Sequence, residues 1–336
     1  MREHEFTARE VSVGYGDRPV IDGLDLDVPA HRIGAIIGPN GCGKSTLLRT
    51  LSRQLRPSSG SVLLDGHAIH TMPTRAVAKV LGLLPQSPSC PEGILVEDLV
   101  SRGRTPHRGN FSRWSAADDE AIATALEETG TAQLAERPVD ELSGGQRQRV
   151  WIAMALAQQT DLLLLDEPTT FLDLAYQIDV LELLVRLNAS RGTTIVMVLH
   201  DINLAARYSN WLVAMRDGTI RAKGDPAEVV SEEMLREVFN LDTRVIDDPV
   251  SGAPLVVPVG RADAAMNRDA AHAVHEDSAH GDSATGETGR GDSVDDGRAD
   301  ASGTGRSDAH PMNGHREQGH GVHGAVAQGQ PAGARA

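Results

Sequence analysis

A glycine-rich segment near the N-terminus constrains the fold of this chain more than any other feature. It reads Gly38, Pro39, Asn40, Gly41, Cys42, Gly43, Lys44, Ser45 and Thr46. The apolar run Ile33–Ile37 precedes the segment, and an apolar helix start follows it. A strand, a glycine turn and a helix start are the context in which such a loop wraps phosphates, so a chance glycine turn is the weaker interpretation.

The chemistry of the loop indicates its ligand. Backbone N–H groups and a helix N-terminus attract phosphates, and glycines let the backbone approach them closely. In this motif Lys44 would reach the β- and γ-phosphates, and the Ser45 hydroxyl would ligate Mg²⁺. The segment therefore predicts a nucleoside triphosphate site.

The C-terminal residues 261–336 differ in composition from the rest of the chain. They contain no Leu, Ile, Phe, Tyr, Trp, Cys or Lys. Such a segment cannot bury enough apolar surface to offset its chain entropy, so we predict a disordered tail. It holds seven of the 13 histidines. Because these lack tight ligand spacing, we favour a solvated extension over a metal-binding segment.

Charge and cysteine content limit the partners and the compartment. A net charge of −15 argues against nucleic acid as the main partner. Two distant cysteines, Cys42 and Cys90, suggest no disulfide framework and fit a reducing cytoplasm. We see no signal peptide, and the longest apolar runs are too short to span a bilayer. A membrane role would therefore need a partner subunit.

Strands and helices alternate along the chain. Apolar runs and alternating patterns predict strands over 6–13, 24–28, 33–37, 62–64, 80–84, 162–165, 194–199, 211–215 and 219–223. Helical spacing predicts helices over 44–51, 96–102, 115–129, 144–158, 174–188 and 202–208. This order predicts an α/β fold with a parallel core, antiparallel strands at the N-terminus and a helix-rich addition near 90–145. No internal repeat is visible, so we expect one nucleotide domain.

Two acidic residues follow a buried strand. Asp166 and Glu167 come directly after Leu162–Leu165. Ligands bind at the carboxyl ends of strands in open α/β sheets. Asp166 fits a Mg²⁺ site, and Glu167 fits a general base that orients the attacking water. The alternative, ordinary surface acids, loses weight because a phosphate loop lies upstream.

A third motif precedes this strand. It consists of Leu142 followed by Ser143, Gly144, Gly145 and Gln146. Physically it is a serine N-cap with glycines at a helix start, where a phosphate can approach. Its place between the phosphate loop and Asp166 makes a simple helix cap the less favoured interpretation.

With these motifs the chain resembles the ATP-binding subunits of ABC transporters, over about residues 4–258. The resemblance implies a P-loop NTPase core of the RecA-like type, an N-terminal antiparallel β subdomain and an inserted helical subdomain at about 87–158. It also implies ATP hydrolysis with Mg²⁺ and a head-to-tail dimer. Each ATP would lie between the phosphate loop of one copy and residues 143–146 of the other.

Further site residues are implied only by this resemblance. Ser143 and Gly145 would contact the γ-phosphate bound to the second copy. Tyr15 matches the aromatic that stacks on adenine, and Gln86 matches the glutamine that touches Mg²⁺ and the attacking water. Asp173 matches a dimer-interface aspartate, and His200 a histidine that contacts the γ-phosphate.

Several strings narrow the resemblance. They include Thr170-Phe171 after the acidic pair, Gly103 to His107, and His200 to Tyr208. They resemble the ATPases of bacterial iron–siderophore importers, which implies two transmembrane permease subunits, an extracytoplasmic substrate-binding protein and a location at the cytoplasmic face of the membrane. Haem, cobalamin or another metal chelate, and a soluble non-transport ABC ATPase, remain alternatives.

Cys42 occupies a free position of the phosphate loop. It is either a small filler residue, the interpretation we prefer, or a thiol whose pKa is lowered by the helix N-terminus. The second hypothesis predicts that alkylation of Cys42 inhibits the ATPase and that ATP protects it.

Overall fold

The computed structural model describes residues 3–16, 18–108, 114–170 and 172–261. In these ranges the strands are β1 (Phe6–Tyr15), β2 (Arg18–Val28), β3 (Ile33–Ile37), β4 (Ser59–Leu64), β5 (His67–Ala68), β6 (Leu81–Leu84), β7 (Leu162–Asp166), β8 (Thr194–Val198), β9 (Trp211–Arg216), β10 (Thr219–Gly224), β11 (Leu241–Asp247) and β12 (Pro254–Arg261). The helices are α1 (Lys44–Leu51), α2 (Thr74–Ala78), α3 (Val96–Ser101), α4 (Ala116–Glu128), α5 (Gly144–Ala157), α6 (Leu174–Arg191), α7 (Ile202–Tyr208), α8 (Pro226–Val229) and α9 (Glu232–Phe239).

A six-stranded sheet forms the centre of the fold, in the order β10-β9-β3-β8-β7-β6. The five strands from β9 to β6 run parallel, and β10 pairs antiparallel with β9 at one edge. Every residue of β3, β7 and β8 is buried, as expected for strands covered on both faces. The sheet confirms the predicted parallel α/β core.

The two faces of this sheet pack into separate cores. In β3, Ile33, Ala35 and Ile37 belong to a core that they share with buried residues of α3 to α6. Ile36 belongs to the other core, with α1 and the N-terminal strands. Because neighbouring side chains of a strand point to opposite faces, one apolar run supplies both cores.

The N-terminal strands form a second sheet in the order β2-β1-β4-β5, with antiparallel pairing throughout. This confirms the predicted antiparallel subdomain. β1 and β2 extend beyond their predicted limits because their pairing continues to the turn, where Tyr15 lies opposite Arg18.

A buried ion pair joins the helices between β6 and β7. α3 and α4 both contact α5. Arg104, in a short 3-10 helix after α3, donates from Nε to Asp118 Oδ1 of α4 at 2.9 Å and from Nη1 to the carbonyl oxygen of Ala157 at 2.7 Å. Hydrogen bonds from Ser115 and Arg104 lower the pKa of Asp118 to about 2. Arg104 therefore fastens α4 to the C-terminal end of α5.

The C-terminal part of the described chain contains elements that the sequence patterns did not predict. α8 and α9 follow β10, and β11 and β12 form an antiparallel hairpin. α9 is capped by Ser231 and contacts β11. The predicted domain limit at residue 258 falls inside β12, which ends at Arg261.

The predicted tail lies outside the described residues, apart from Arg261, and stays a prediction. In the part of the chain that the structure describes, no helix has both the length and the apolar character needed to cross a membrane.

Loss of one partner of the Arg104–Asp118 pair should destabilise the fold strongly. We expect Arg104→Met to lower the free energy of unfolding by about 3–5 kcal/mol because it leaves a buried carboxylate without its charge partner. Urea denaturation followed by circular dichroism measures this. The double variant Arg104→Met/Asp118→Leu should recover much of the loss, and a single variant as stable as the wild type would contradict the assignment.

Candidate functional site

Four neighbouring parallel strands end at one edge of the central sheet, and predicted site residues follow each end. β3 leads into residues 38–43, β8 into the loop with His200, and β6 into the loop with Gln86, while β7 ends at Asp166 and is followed by Glu167. Ligands bind at this edge in open α/β sheets. The strand order therefore brings together residues that lie far apart in sequence.

The phosphate loop approaches its neighbours too closely for larger residues. Gly38 and Gly43 have φ angles of 153° and 106°, which residues with a Cβ rarely adopt. A Cβ on Gly38 would lie 2.3 Å from the carbonyl oxygen of Met215 in β9. The loop is thus fixed against the sheet, and α1 begins directly after it at Lys44.

Lys44 is buried and held beside the loop. Its Nζ donates to the carbonyl oxygens of Gly38 at 2.9 Å and Pro39 at 3.0 Å, and only 5% of its surface is exposed. A buried ammonium group is costly unless it is paired with polar or charged groups. The loop carbonyls supply part of this compensation, and phosphate oxygens would complete it.

Ser45 and Asp166 form the candidate metal site. Ser45 Oγ donates to Asp166 Oδ1 at 3.0 Å. Burial raises the pKa of Asp166, and the hydrogen bond from Ser45 only partly opposes this. The pair offers a hydroxyl and a carboxylate, which are oxygen ligands of the kind that Mg²⁺ binds, next to phosphates. The residues present therefore fit the predicted metal.

Glu167 is the most tightly surrounded carboxylate of the site. Gln86 Nε2 donates to its Oε2 at 2.6 Å and Thr170 Oγ1 to the same oxygen at 3.0 Å, while His200 Nε2 lies 2.7 Å from Oε1. Burial works to raise the pKa of Glu167, but the bonds from His200, Thr170 and Gln86 outweigh it and lower the pKa. The side chain is therefore a fixed carboxylate at neutral pH.

The backbone of Glu167 also has an unusual conformation. Its φ of 55° is left-handed, which a glutamate adopts only when its surroundings hold it there. Thr170, which the sequence interpretation did not place in the site, provides part of that support. The sequence carried one signal for this role: Thr170 lies three residues after Glu167, the spacing of a backbone turn. In the structure the backbone N–H of Thr170 donates to the carbonyl oxygen of Glu167 at 3.2 Å.

Lys44, Ser45, Gln86, Glu167 and His200 line a cleft of about 500 Å³. Its described lining residues are Tyr15, Val20, Asn40, Gly41, Gly43, Lys44, Ser45, Thr46, Gln86, Glu167 and His200. Tyr15 is half exposed at 50%, so its side chain is accessible to a ligand in the cleft. Val20, at the start of β2, is a lining residue that the sequence interpretation missed.

The predicted motif at residues 143–146 lies elsewhere. None of its four residues is among the described residues that line the cleft. Ser143 caps α5: its Oγ accepts from the backbone N–H of Gln146 at 3.3 Å, and Gln146 Oε1 accepts from the N–H of Ser143 at 3.1 Å. Ser143 and Gly144 are exposed, and a Cβ on Gly144 would meet nothing within 4 Å. The helix start is thus open to a ligand from outside this chain.

Asp173 is placed at the start of another helix. Its Oδ1 accepts from the backbone N–H of Tyr176 at 3.0 Å, which caps α6. Its side chain is exposed. Like residues 143–146, Asp173 is absent from the described lining of the cleft.

The structure contradicts the hypothesis of a reactive Cys42. The residue is 4% exposed and packs in a hydrophobic core. Burial raises the pKa of its thiol more than the nearby Lys44 charge lowers it. The filler interpretation therefore holds.

Comparison with known proteins identifies the family. A family model described as ABC transporter matches residues 21–170. The achromobactin transport ATP-binding protein CbrD of Dickeya dadantii is 54% identical over 255 residues, which cover 76% of this chain and 95% of that protein. The ferric enterobactin transport ATP-binding protein FepC of Escherichia coli is 52% identical over 252 residues, covering 75% and 93%. A solved metal-chelate type ABC transporter in an inward-facing conformation matches with a TM-score of 0.66 and 31% identity, covering 77% of this chain and 98% of that one.

The phosphate loop, the buried Lys44 and the carboxylates at the strand ends define a P-loop ATPase. The relatives narrow this class to a family, because CbrD and FepC are 54% and 52% identical to the chain and match 76% and 75% of it. The chain belongs to the ABC transporter family, as an ATP-binding subunit.

Burial should protect Cys42 from thiol reagents. We expect iodoacetamide to modify the partly exposed Cys90 in the native protein and to reach Cys42 only after denaturation, with ATPase activity retained. Peptide mass spectrometry locates the label. In the Cys90→Ser control the native protein should take up almost none. Fast labelling of Cys42 with loss of activity would restore the rejected hypothesis.

Proposed function

We propose that this chain is the ATP-hydrolysing subunit of a bacterial ABC importer and powers the uptake of iron(III)–siderophore complexes through partner permease subunits. The cleft supports the enzymatic part of the proposal, because Lys44, Ser45 and Glu167 line it together. Asp166 lies directly behind Ser45, which donates a hydrogen bond to it. The relatives support the substrate class: by name, one acts in the transport of ferric enterobactin and another in that of achromobactin.

In the proposed mechanism the loop and α1 bind the phosphates of ATP, and Tyr15 stacks on the adenine. Backbone N–H groups of the loop face the phosphates, and Lys44 turns its ammonium group toward the β- and γ-phosphates. Ser45, Asp166 and Gln86 would hold Mg²⁺, whose contribution when bound is to neutralise charge on phosphate oxygens. Phosphoryl transfer depends mainly on such positioning and electrostatic stabilisation.

Glu167 orients and deprotonates the attacking water. The three side chains around it keep it ionised and fixed in place, so it need not reorganise during the reaction. His200 and Gln86 each contact one oxygen of Glu167 and also line the cleft. In the proposal they contact the γ-phosphate and the water, respectively.

Two copies complete the site in a head-to-tail dimer. The start of α5 at residues 143–146 lies outside the described lining of its own chain's cleft but has the features of a phosphate site: a helix N-terminus, the open Gly144 and the Ser143 hydroxyl. We infer that Ser143, Gly144, Gly145 and Gln146 contact the γ-phosphate held by the second copy, with Asp173 at the dimer interface.

The transport partners follow from the same proposal. The domain at 4–258 binds the cytoplasmic side of two permease subunits. The contact is made by its helical part at about 87–158 and by the loop with Gln86. An extracytoplasmic binding protein delivers the chelate. The ATPase is then peripheral at the cytoplasmic face of the membrane.

Glu167→Gln should separate binding from hydrolysis. The amide cannot accept a proton from water, so we expect ATP binding to persist, turnover to fall about 100-fold or more, and an ATP-dependent dimer to accumulate. Phosphate release and size-exclusion chromatography with ATP measure these effects. The exposed control Glu182→Gln should behave like the wild type. Wild-type turnover in Glu167→Gln would refute the assigned role.

The substrate class should appear in reconstituted vesicles. The chain, co-expressed with a pair of siderophore permease subunits, should co-purify with both permeases and drive ATP-dependent uptake of an iron(III) siderophore. Haem and cobalamin should be transported poorly. Preferential haem or cobalamin uptake would reassign the substrate, and failure to associate with any permease would favour a soluble ABC ATPase.

A further inference from the structure

Two contacts tie the start of α5 to residues C-terminal to Glu167, one to Pro168 and one to the first turn of α6, and the mechanism above does not use them. Gln148 Nε2, in the second turn of α5, donates to the carbonyl oxygen of Pro168 at 2.9 Å. Tyr176, in the first turn of α6, lies against Gly145 in the first turn of α5. Both contacts link a segment near the catalytic Glu167 to the helix that carries residues 143–146.

The contact of Tyr176 is made by its ring. A Cβ built on Gly145 would lie 3.2 Å from the two nearest ring atoms, so any larger residue there would press on the ring. The guanidinium carbon of Arg149, one turn further along α5, lies 5.3 Å from the centre of the ring. The ring therefore packs on one face of α5, formed by Gly145 and Arg149, with the cation–π attraction adding to the contact.

The backbone of Tyr176 is fixed at the same time. Its N–H donates to Asp173 Oδ1 at 3.0 Å. A shift of Asp173 would therefore move the N-terminus of α6, and with it the ring that bears on Gly145. Tyr176 connects a proposed interface residue to a glycine of the proposed γ-phosphate site.

The contact of Gln148 begins next to the catalytic carboxylate. Pro168 is buried and directly follows Glu167, whose left-handed backbone sets the direction of the chain. Thr170 hydrogen-bonds Glu167 through both its hydroxyl and its backbone N–H. A movement of Glu167 would therefore shift the carbonyl group of Pro168. The side chain of Gln148 would move with it, because it is hydrogen-bonded to that carbonyl oxygen.

In the head-to-tail dimer these segments serve different ATP molecules. Glu167 acts on the ATP in the cleft of its own chain, whereas residues 143–146 contact the ATP of the second copy. A rigid link between them makes the state of one site affect the geometry of the other. Coupling of this kind requires a physical element that both sites bias.

We propose that Gln148 and Tyr176 are positioning residues that couple the two ATP sites of the dimer. This rests on the head-to-tail arrangement of the proposed function. Neither side chain lines the cleft among its described residues, so neither is needed for ATP to bind to a single chain. Their removal weakens cooperativity between the sites.

The test measures ATP hydrolysis against ATP concentration in the full transporter, reconstituted with its permeases. The wild type should be cooperative, with a Hill coefficient that approaches the ceiling of about 2 set by two sites. Gln148→Leu and Tyr176→Leu should each lower it toward about 1. ATP binding to the isolated chain and its thermal unfolding midpoint should stay close to those of the wild type.

Two matched controls separate coupling from general damage. Tyr176→Phe keeps the ring and should keep the cooperativity. Gln177→Leu also removes a hydrogen bond made by a glutamine side chain. Gln177, in the first turn of α6, donates from Nε2 to the carbonyl oxygen of Leu172 at 2.9 Å and not to α5. It too should leave the Hill coefficient unchanged.

The outcomes distinguish this inference from the proposed function. A non-cooperative wild type, unchanged cooperativity in both leucine variants, or an equal loss in Gln177→Leu would overturn the coupling role while leaving the ATPase assignment intact. Failure of Glu167→Gln to form an ATP-dependent dimer would instead remove the arrangement on which the inference depends.

Discussion

The function of this protein depends on the adjacency of four parallel strands, β3, β8, β7 and β6, whose carboxyl ends lie at one edge of the sheet. A different component of the site lies at each strand end: the phosphate loop at β3, the histidine at β8, the acidic pair at β7 and the glutamine at β6. The strands themselves are held by two hydrophobic cores, one on each face of the sheet. Because packing determines the strand order, the geometry of the site is stabilised by the whole domain.

Buried charge is the main cost of this arrangement. Lys44, Asp166 and Glu167 are each less than 9% exposed, and buried charges are tolerated only with partners. Loop carbonyls hold the lysine, a serine hydroxyl holds the aspartate, and three side chains hold the glutamate. The opposite shifts of the two acidic pKa values follow from this: burial dominates at Asp166, and hydrogen bonds dominate at Glu167.

In the proposed dimer the chain presents half of each of two sites. Its cleft has the loop, Lys44 and Glu167, while Ser143 and the exposed Gly144 of the α5 N-terminus lie outside the described lining of that cleft. A second copy supplies the missing half in the proposed dimer, which makes closure dependent on ATP. The contacts of Gln148 and Tyr176 connect the two half-sites within one chain, the segment after Glu167 and the start of α5. Such a link would let two hydrolysis sites act together on one pair of permeases.

The sequence by itself determined the local parts of the site, because their signals lie within a few residues: β3, α1 and α7 have the predicted limits, and Asp166 and Glu167 directly follow the buried run. The sequence patterns did not predict α8, α9 or the hairpin of β11 and β12. These elements are short, and a short apolar pattern does not distinguish a helix from a strand until the surface it packs against is known. Only the tertiary structure decided that Gln86, Thr170 and His200 meet around Glu167, and that Cys42 is buried. The reason is that convergence and burial depend on which strands become neighbours, and strand pairing is a long-range property that no local pattern contains.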